Sequence, residues 1–231
     1  MRLRAGPKTL GGVLRYYFTR PASIVISTMG LLAVALRLYV ARFRWTDLAI
    51  VAGVLLLWPL LEWVIHVFFL HHRPKKIGRW TIDFFAAQKH RRHHRQPWLL
   101  AFVSFPLRPL LWAVPVTFGG WYLAFDLPQA LTGFCLMLGI LMHFEFVHFL
   151  AHTRYQPKNW YFKRTCRNHR LHHVKNERMW QGITSNLGDL ILGTLPRNSS
   201  AVPRSPTVRT LGVEQDNAHP SLGPLSEWQI R

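Results

Sequence analysis

Four stretches of the chain are apolar almost without interruption: Pro21 to Val40, Leu48 to Leu70, Pro97 to Phe125, and Leu127 to Ala151. Each has roughly the twenty residues that an α-helix needs to cross a hydrocarbon core of about 30 Å. The pattern predicts four transmembrane helices. The first carries Arg37 near its end, from where the side chain is expected to snorkel to the interface. The second is interrupted by Pro59 and carries Glu62 and His66 toward its end. In the third, Arg108 sits between Pro106 and Pro109, so its first third is expected to lie along the interface. The fourth is clean until His143. After Gly193 the pattern stops, and the Pro-, Ser- and Arg-rich residues Arg197 to Arg231 are expected to form a soluble, irregular tail behind a membrane-embedded domain of residues 1–196.

Composition agrees with this pattern. With 231 residues and 49% of them hydrophobic, the chain suits one domain and is too apolar for disorder. Its 29 Lys and Arg against 10 Asp and Glu give a charge of +19, and their placement is informative. Five basic residues precede the first span, three lie at or after its end, eight run from Arg73 to Arg95, none lie between Phe118 and Pro128, and twelve follow Ala151. The five, eight and twelve fall on one side of a four-span chain, which the positive-inside rule makes cytoplasmic together with both termini. Topology thus accounts for the basic balance, and nucleic acid is not needed as a partner. The basic first 20 residues have no apolar core directly behind them, so a cleaved signal peptide is not expected. Two cysteines, Cys135 and Cys166, indicate neither a disulfide framework nor a thiolate zinc site.

Histidine changes the picture most. Of 13, all but His219 fall in four groups at or beyond the cytoplasmic ends of the spans: His66, His71 and His72; His90, His93 and His94; His143, His148 and His152; His169, His172 and His173. The pattern H-x-x-H-H occurs twice, against a chance expectation of about 0.04 copies in a chain of this composition. On a helix the i, i+3, i+4 spacing puts three imidazoles on one face, so each of these triplets is expected to converge, and His148 and His152 share a face as well. His66 and His71, five apart, stand about 140° apart on a regular helix and meet one site only if the helix ends or distorts there. Spacing does not choose between His71 and His72. His143 lies half a turn from His152 and is the poorer candidate. Ten imidazoles exceed the four to six positions of one ion, so the natural division is two metals.

Carboxylates fall at helical spacing from these histidines: Glu62 four before His66, Glu145 three before His148, and Asp83 seven before His90. Each is expected to accept the second N–H of a metal-bound imidazole. Asp189, in G-I-T-S-N-L-G-D, is expected to tie down a helix end or touch a ligand.

The ordered set H-x4-H, H-x-x-H-H, H-x3-H, H-x-x-H-H and the following G-I-T-S-N-x-x-D-x-x-x-G-T-L resembles the fatty acid hydroxylase/sterol desaturase superfamily over about Leu48 to Pro196. The resemblance implies an all-α integral membrane protein, with four transmembrane helices and a cytosolic helical cap carrying a histidine-rich dimetal site. It assigns His66, His71, His90, His93, His94, His148, His152, His169, His172 and His173 as ligands of two iron ions, with zinc able to replace iron during purification. It implies O2-dependent C–H oxidation of a lipid, with a fatty acid or fatty acyl lipid as the leading substrate. Sterol desaturation or oxidation and carotenoid hydroxylation are the alternatives within the class. Two electrons per turnover are expected from a separate carrier, cytochrome b5-like or ferredoxin-like with its reductase. A membrane zinc protein is the reading from another class. A zinc hydrolase needs only three ligands and an open position, however, and a zinc carrier would line a path through the membrane.

The orientation has a direct test. Reporter fusions after Arg95 and at the C-terminus should report cytoplasm, and a fusion between Phe118 and Pro128 the opposite side; a C-terminus on that opposite side contradicts the assignment.

Overall fold

The computed structural model describes residues 3–214; His219 lies outside them. In chain order the elements are α1 (Leu10–Tyr17), α2 (Pro21–Val40), α3 (Trp45–Val64), a π-helical turn (Ile65–Leu70), β1 (Lys75–Ile77), β2 (Trp80–Ile82), α4 (Phe85–Arg95), α5 (Leu100–Val103), α6 (Leu107–Ala124), α7 (Leu127–His152), α8 (Trp160–Val174) and α9 (Leu187–Ile191). Four helical stretches are long and apolar enough to cross a membrane: Pro21–Val40, Trp45–Leu70, Leu100–Ala124 and Leu127–His152. Their outward side chains, among them Leu31, Leu56, Trp112 and Leu123, are exposed as a lipid-facing surface requires. The protein is a mostly helical, multi-pass membrane protein.

Two details differ from the sequence reading. The third apolar stretch is not one helix: it breaks between α5 and α6, where Pro106, extended at ψ 132, caps α6. The chain is also not purely helical, because β1 and β2 pair as an antiparallel hairpin with Ile77 opposite Trp80. Gly78 takes φ 57 in its two-residue turn, the left-handed conformation that tight hairpin turns need at that position.

The chain divides into two compact units. One comprises Leu14–Trp58 and Ser104–Phe146. Its apolar core joins α2 (Ala22, Ile26, Ala33), α6 (Leu110, Val114) and α7 (Phe134, Leu138). Small residues on α2 let the helices approach closely, which suits packing in lipid, where van der Waals contact has to replace the hydrophobic effect. Two polar clusters tie this unit together. Glu145 on α7 accepts hydrogen bonds from the Tyr17 hydroxyl and the Ser23 hydroxyl, each at 3.3 Å, and from the Phe105 backbone N–H at 3.1 Å.

The second cluster replaces the expected snorkelling of Arg37. Its guanidinium is buried, pairs with Asp47 at 2.9 Å, and donates to the Thr132 hydroxyl at 2.7 Å and to the Ala41 carbonyl. Asp47 also accepts from the Arg44 N–H at 2.7 Å and the Gln129 amide at 3.1 Å. The turn that permits this has Ala41 and Arg42 both at positive φ, 52° and 53°. Asp47→Ala, which leaves a buried unpaired guanidinium, should cost about 3–5 kcal/mol. Thermal unfolding in detergent should show the single variant markedly less stable than the Arg37→Leu/Asp47→Leu double variant; equal stability of the two would mean the pair is not buried as described.

The other unit comprises Met1–Val13, Pro59–Val103 and Val147–Arg231. It contains α4, α5, α8, α9 and the hairpin, the ends of α3 and α7, and the segment 197–214. All ten histidines assigned by the resemblance fall in this unit.

Candidate metal centre

Ten imidazoles gather into two groups of five. His66, His71, His90, His94 and His172 form the first; His93, His148, His152, His169 and His173 form the second; within each, one ligand atom per residue lies within 4.8 Å of every other. His72 and His143 belong to neither. His72 packs its ring at 4.5 Å from Phe84, and His143 is exposed on α7.

Local structure explains how each motif delivers its side chains. His66 and His71 meet because the end of the second span is a π-helix, Ile65–Leu70, closed by a hydrogen bond from the His71 N–H to the His66 carbonyl at 3.0 Å. The wider i→i+5 turn stacks residues five apart, and their rings come to 4.7 Å. The two H-x-x-H-H triplets do not each converge on one point. On α4 the i, i+4 pair His90 and His94 enters the first group and His93 the second; on α8 the pair His169 and His173 enters the second and His172 the first. At 100° per residue, i+3 and i+4 lie on opposite sides of position i, so one helix serves two neighbouring ions. His94 and His173, from different groups, bring their rings to 4.2 Å.

Nine of the ten histidines meet one another through Nε2. In the first group Nε2···Nε2 separations are 3.1 Å for His66 and His90, 3.2 Å for His90 and His94, and 3.2 Å for His94 and His172. In the second they are 3.0 Å for His93 and His148, for His152 and His169, and for His169 and His173. The outward nitrogens fix the tautomers. Nδ1 of His66 faces the Gln181 carbonyl at 2.5 Å, that of His94 the Val208 carbonyl at 2.9 Å, and that of His172 the Met179 carbonyl at 2.9 Å. A proton placed on Nδ1 leaves Nε2 a bare lone pair. His94 and His172 then point two lone pairs at each other across 3.2 Å, an arrangement that repels unless a cation lies between them. With metal–nitrogen bonds of about 2.1 Å, ligands at right angles stand about 3.0 Å apart, close to the spacings observed. The residues fit a pair of transition-metal ions.

Electrostatics favours the same state. Burial, reinforced by the neighbouring imidazoles, holds the pKa values of His71, His90, His93, His169, His172 and His173 well below the usual histidine value, and burial takes that of His94 down to about 3. All stay neutral at physiological pH, the form that binds metal.

The carboxylates act at one remove. Glu62, on α3, accepts from the backbone N–H groups of Ile183 at 3.1 Å and Thr184 at 2.8 Å, and from the Thr184 hydroxyl at 2.9 Å. Asp189, on α9, accepts from the N–H groups of Gln181 at 2.7 Å and Gly182 at 2.9 Å and from the Thr194 hydroxyl at 2.6 Å. Between them they hold the loop whose carbonyls at Met179 and Gln181 orient His172 and His66. That loop is tight: Trp180 is buried at φ 56, and a Cβ on Gly182 would come within 1.8 Å of the Ser185 carbonyl oxygen. Gly188, one residue before Asp189, lets α9 approach Pro59 of α3, where a Cβ would meet the Pro59 carbonyl oxygen at 2.4 Å. Asp83 does not share a helical face with His90, since α4 begins only at Phe85; its carboxylate instead grips the buried Arg91 guanidinium at 2.6 and 2.8 Å. Glu145 has the partners given above for its own unit.

Residues 197–214 carry no regular element but are not detached from the centre. Val208 and Leu211 are buried, Thr207 donates to Glu177 at 2.6 Å, and Arg209 to the Arg95 carbonyl at 2.5 Å. At the other end of the chain, the Leu3 carbonyl lies 3.4 Å from His152 Nδ1, beside a backbone bridge between Ala5 and Thr153. Sequence reasoning missed these carbonyl contacts because any residue supplies a carbonyl.

Glu62→Gln, which weakens the hold on the loop, should lower metal affinity about 10- to 100-fold, and Gly182→Ala should lower it further; metal analysis after graded chelation checks both. A chain ending at Pro196 keeps all ten histidines yet loses the Val208 carbonyl, so metal from the first group should be released more readily, whereas unaltered retention would mean that the segment does not orient His94.

The model of the fatty acid hydroxylase family matches residues 51–194, a range that holds all ten histidines, Glu62, Glu145 and Asp189. The dihydroceramide fatty acyl 2-hydroxylase FAH2 of Arabidopsis thaliana is 31% identical over 159 residues, covering 68% of this chain and 64% of that protein. The fatty acid 2-hydroxylase of Rattus norvegicus is 28% identical over 143 residues, covering 61% of this chain and 38% of its own, and that of Homo sapiens 27% identical over 158 residues, 67% and 40%. The chain thus spans under two thirds of the length of the Arabidopsis protein and about two fifths of the mammalian ones. No solved structure matches it. With the match covering more than half of its length and every clustered imidazole, the chain belongs to the fatty acid hydroxylase family.

Proposed function

We propose that the protein hydroxylates the acyl chain of a fatty acid or fatty acyl lipid, with O2 as cosubstrate, at a pair of iron ions held by the ten histidines. The observation that carries this reading is the pair of five-imidazole groups inside the segment matched by the family. Among the metals that imidazole suits, iron has the redox chemistry that O2 activation requires and zinc does not. The relatives are named as 2-hydroxylases, and we adopt that position, next to the acyl carbonyl, for this chain.

When bound and reduced, the iron pair supplies O2 activation and hydrogen abstraction from an unactivated C–H, which no protein side chain can perform. The chain's own residues do the rest. The histidines present neutral Nε2 lone pairs, the Gln181, Met179 and Val208 carbonyls hold those rings in place, and Glu62 and Asp189 clamp the loop from beneath. Buried Trp180 and Ile183 shield that loop from water. Glu145 is assigned a supporting role through the helices that it joins. One oxygen atom of O2 enters the C–H bond; the other leaves as water with two protons and two electrons. Those electrons come from a separate acidic carrier, cytochrome b5-like or ferredoxin-like, for which a basic cytoplasmic face is suited. The active site and both termini are placed on that face.

The protein should bind about two transition-metal ions per chain. The iron form should oxidise lipid when O2 and a reductant are supplied, and the zinc form should be inactive. His172→Ala or His94→Ala should lower metal content and abolish oxidation, while His72→Ala, His143→Ala and His219→Ala should retain both ions. One metal per chain, or full activity of the zinc form, defeats this reading in favour of a zinc protein.

A further inference from the structure

A cavity of about 310 Å³ opens beside the first histidine group. Its wall includes His71, so whatever occupies it lies one imidazole away from the group's centre. Around His71 the lining has two distinct parts. Trp63, Val67 and Leu211 are apolar, and Arg73 and Arg178 are cationic. Both arginines are exposed, yet they differ in attachment: Arg73 is anchored through Nε to the Leu211 carbonyl at 2.9 Å, while Arg178 is held through its backbone N–H to Asn176 at 3.0 Å and its guanidinium has no hydrogen bond or ion pair among the described residues. The one acid in the lining, Glu177, is buried and accepts from Thr207 at 2.6 Å. The cavity therefore offers guanidinium donors beside an apolar surface and next to a metal ligand.

That combination matches one end of an acyl chain. If oxidation takes place at the carbon next to the carbonyl, as the proposed function has it, the carbonyl oxygen is bonded to the very next carbon and has to be received close to the metals. A methylene chain needs apolar walls, whereas a carbonyl or carboxylate oxygen entering a protein needs donors, of which the planar guanidinium is the best suited. We propose that this cavity is the subsite for the acyl head: Arg178 and Arg73 donate to the carbonyl oxygen, and Trp63, Val67 and Leu211 hold the first methylenes. The shared ligand chemistry is an acyl oxygen, from either a free carboxylate or an amide-linked acyl group. Leu211 lies beyond the residues that the family model matches.

The test is binding to the full-length, zinc-loaded protein, in which no turnover intervenes. The probes are palmitate, N-palmitoylethanolamine and, as a chain without an oxygen head, pentadecane. Arg178→Ala should weaken both acyl probes about 10-fold and leave pentadecane unchanged, with two metals retained. Arg178→Glu should weaken palmitate about tenfold more than it weakens the amide if a carboxylate docks there, and both equally if the neutral carbonyl alone is read. Arg178→Lys should restore part of the loss. Since Arg178 is exposed and Arg73 is not required for its placement, Arg73→Ala serves as a second, independent variant with the same expected direction. Equal binding of the acyl probes by the wild type, Arg178→Glu and Arg73→Ala overturns the subsite alone. Loss of pentadecane binding in step with the acyl probes overturns it as well, by showing a general structural effect. A wild type that binds neither acyl probe overturns the subsite and the acyl-substrate reading together.

Discussion

The protein gathers ten imidazoles, nine of them buried, with ring-nitrogen lone pairs turned inward. In water each lone pair would accept a hydrogen bond; here they face one another at 3.0 to 3.2 Å. Burying unpaired acceptors is costly, and paired metal cations are what offsets that cost. The rest of this unit can be understood as the means of keeping the rings in place. Backbone carbonyls face the outward Nδ1 atoms of His66, His94 and His172, and the two buried carboxylates, Glu62 and Asp189, take the N–H groups of the loop that carries two of those carbonyls.

This hierarchy explains why Glu62 and Asp83, which look like direct partners of histidines in the sequence, are engaged elsewhere. A carboxylate touching an imidazole would add negative charge beside the metals. A carbonyl fixes the tautomer with a dipole only, and the charge of the acid is spent on a backbone loop. The same logic appears in the other unit, where Glu145 and Asp47 each join several chain segments through hydroxyl, amide and backbone N–H donors. In a membrane, where apolar packing discriminates weakly between helix arrangements, such polar ties specify which helices meet.

Much of this was legible from the sequence. The four apolar stretches found the long helices, and the repeated H-x-x-H-H found the residues that the fold collects into two groups. The five-residue spacing of His66 and His71 was itself the signal of a distorted helix, though only the structure shows it to be a π-turn. What the pattern concealed depends on the backbone or on distant chain segments. The split of each triplet between two groups follows from helix geometry but needs two targets in known positions. The hairpin at Lys75–Ile82 is too short and exposed to show an apolar face. Arg37 looked like a snorkelling residue because its partner, Asp47, lies across a turn built on two positive-φ residues. The segment 197–214 looked dispensable because its contribution is largely carbonyl oxygens and two buried side chains in a polar, proline-rich run.

The most direct measurement is X-ray absorption at the metal edge of the purified, metal-loaded protein. The account predicts a first shell dominated by nitrogen near 2.1 Å, with the outer-shell multiple scattering that imidazole rings produce from several ligands per ion. A shell containing sulfur, or one dominated by oxygen with little imidazole scattering, would contradict the claim that the two five-histidine groups are the metal centre.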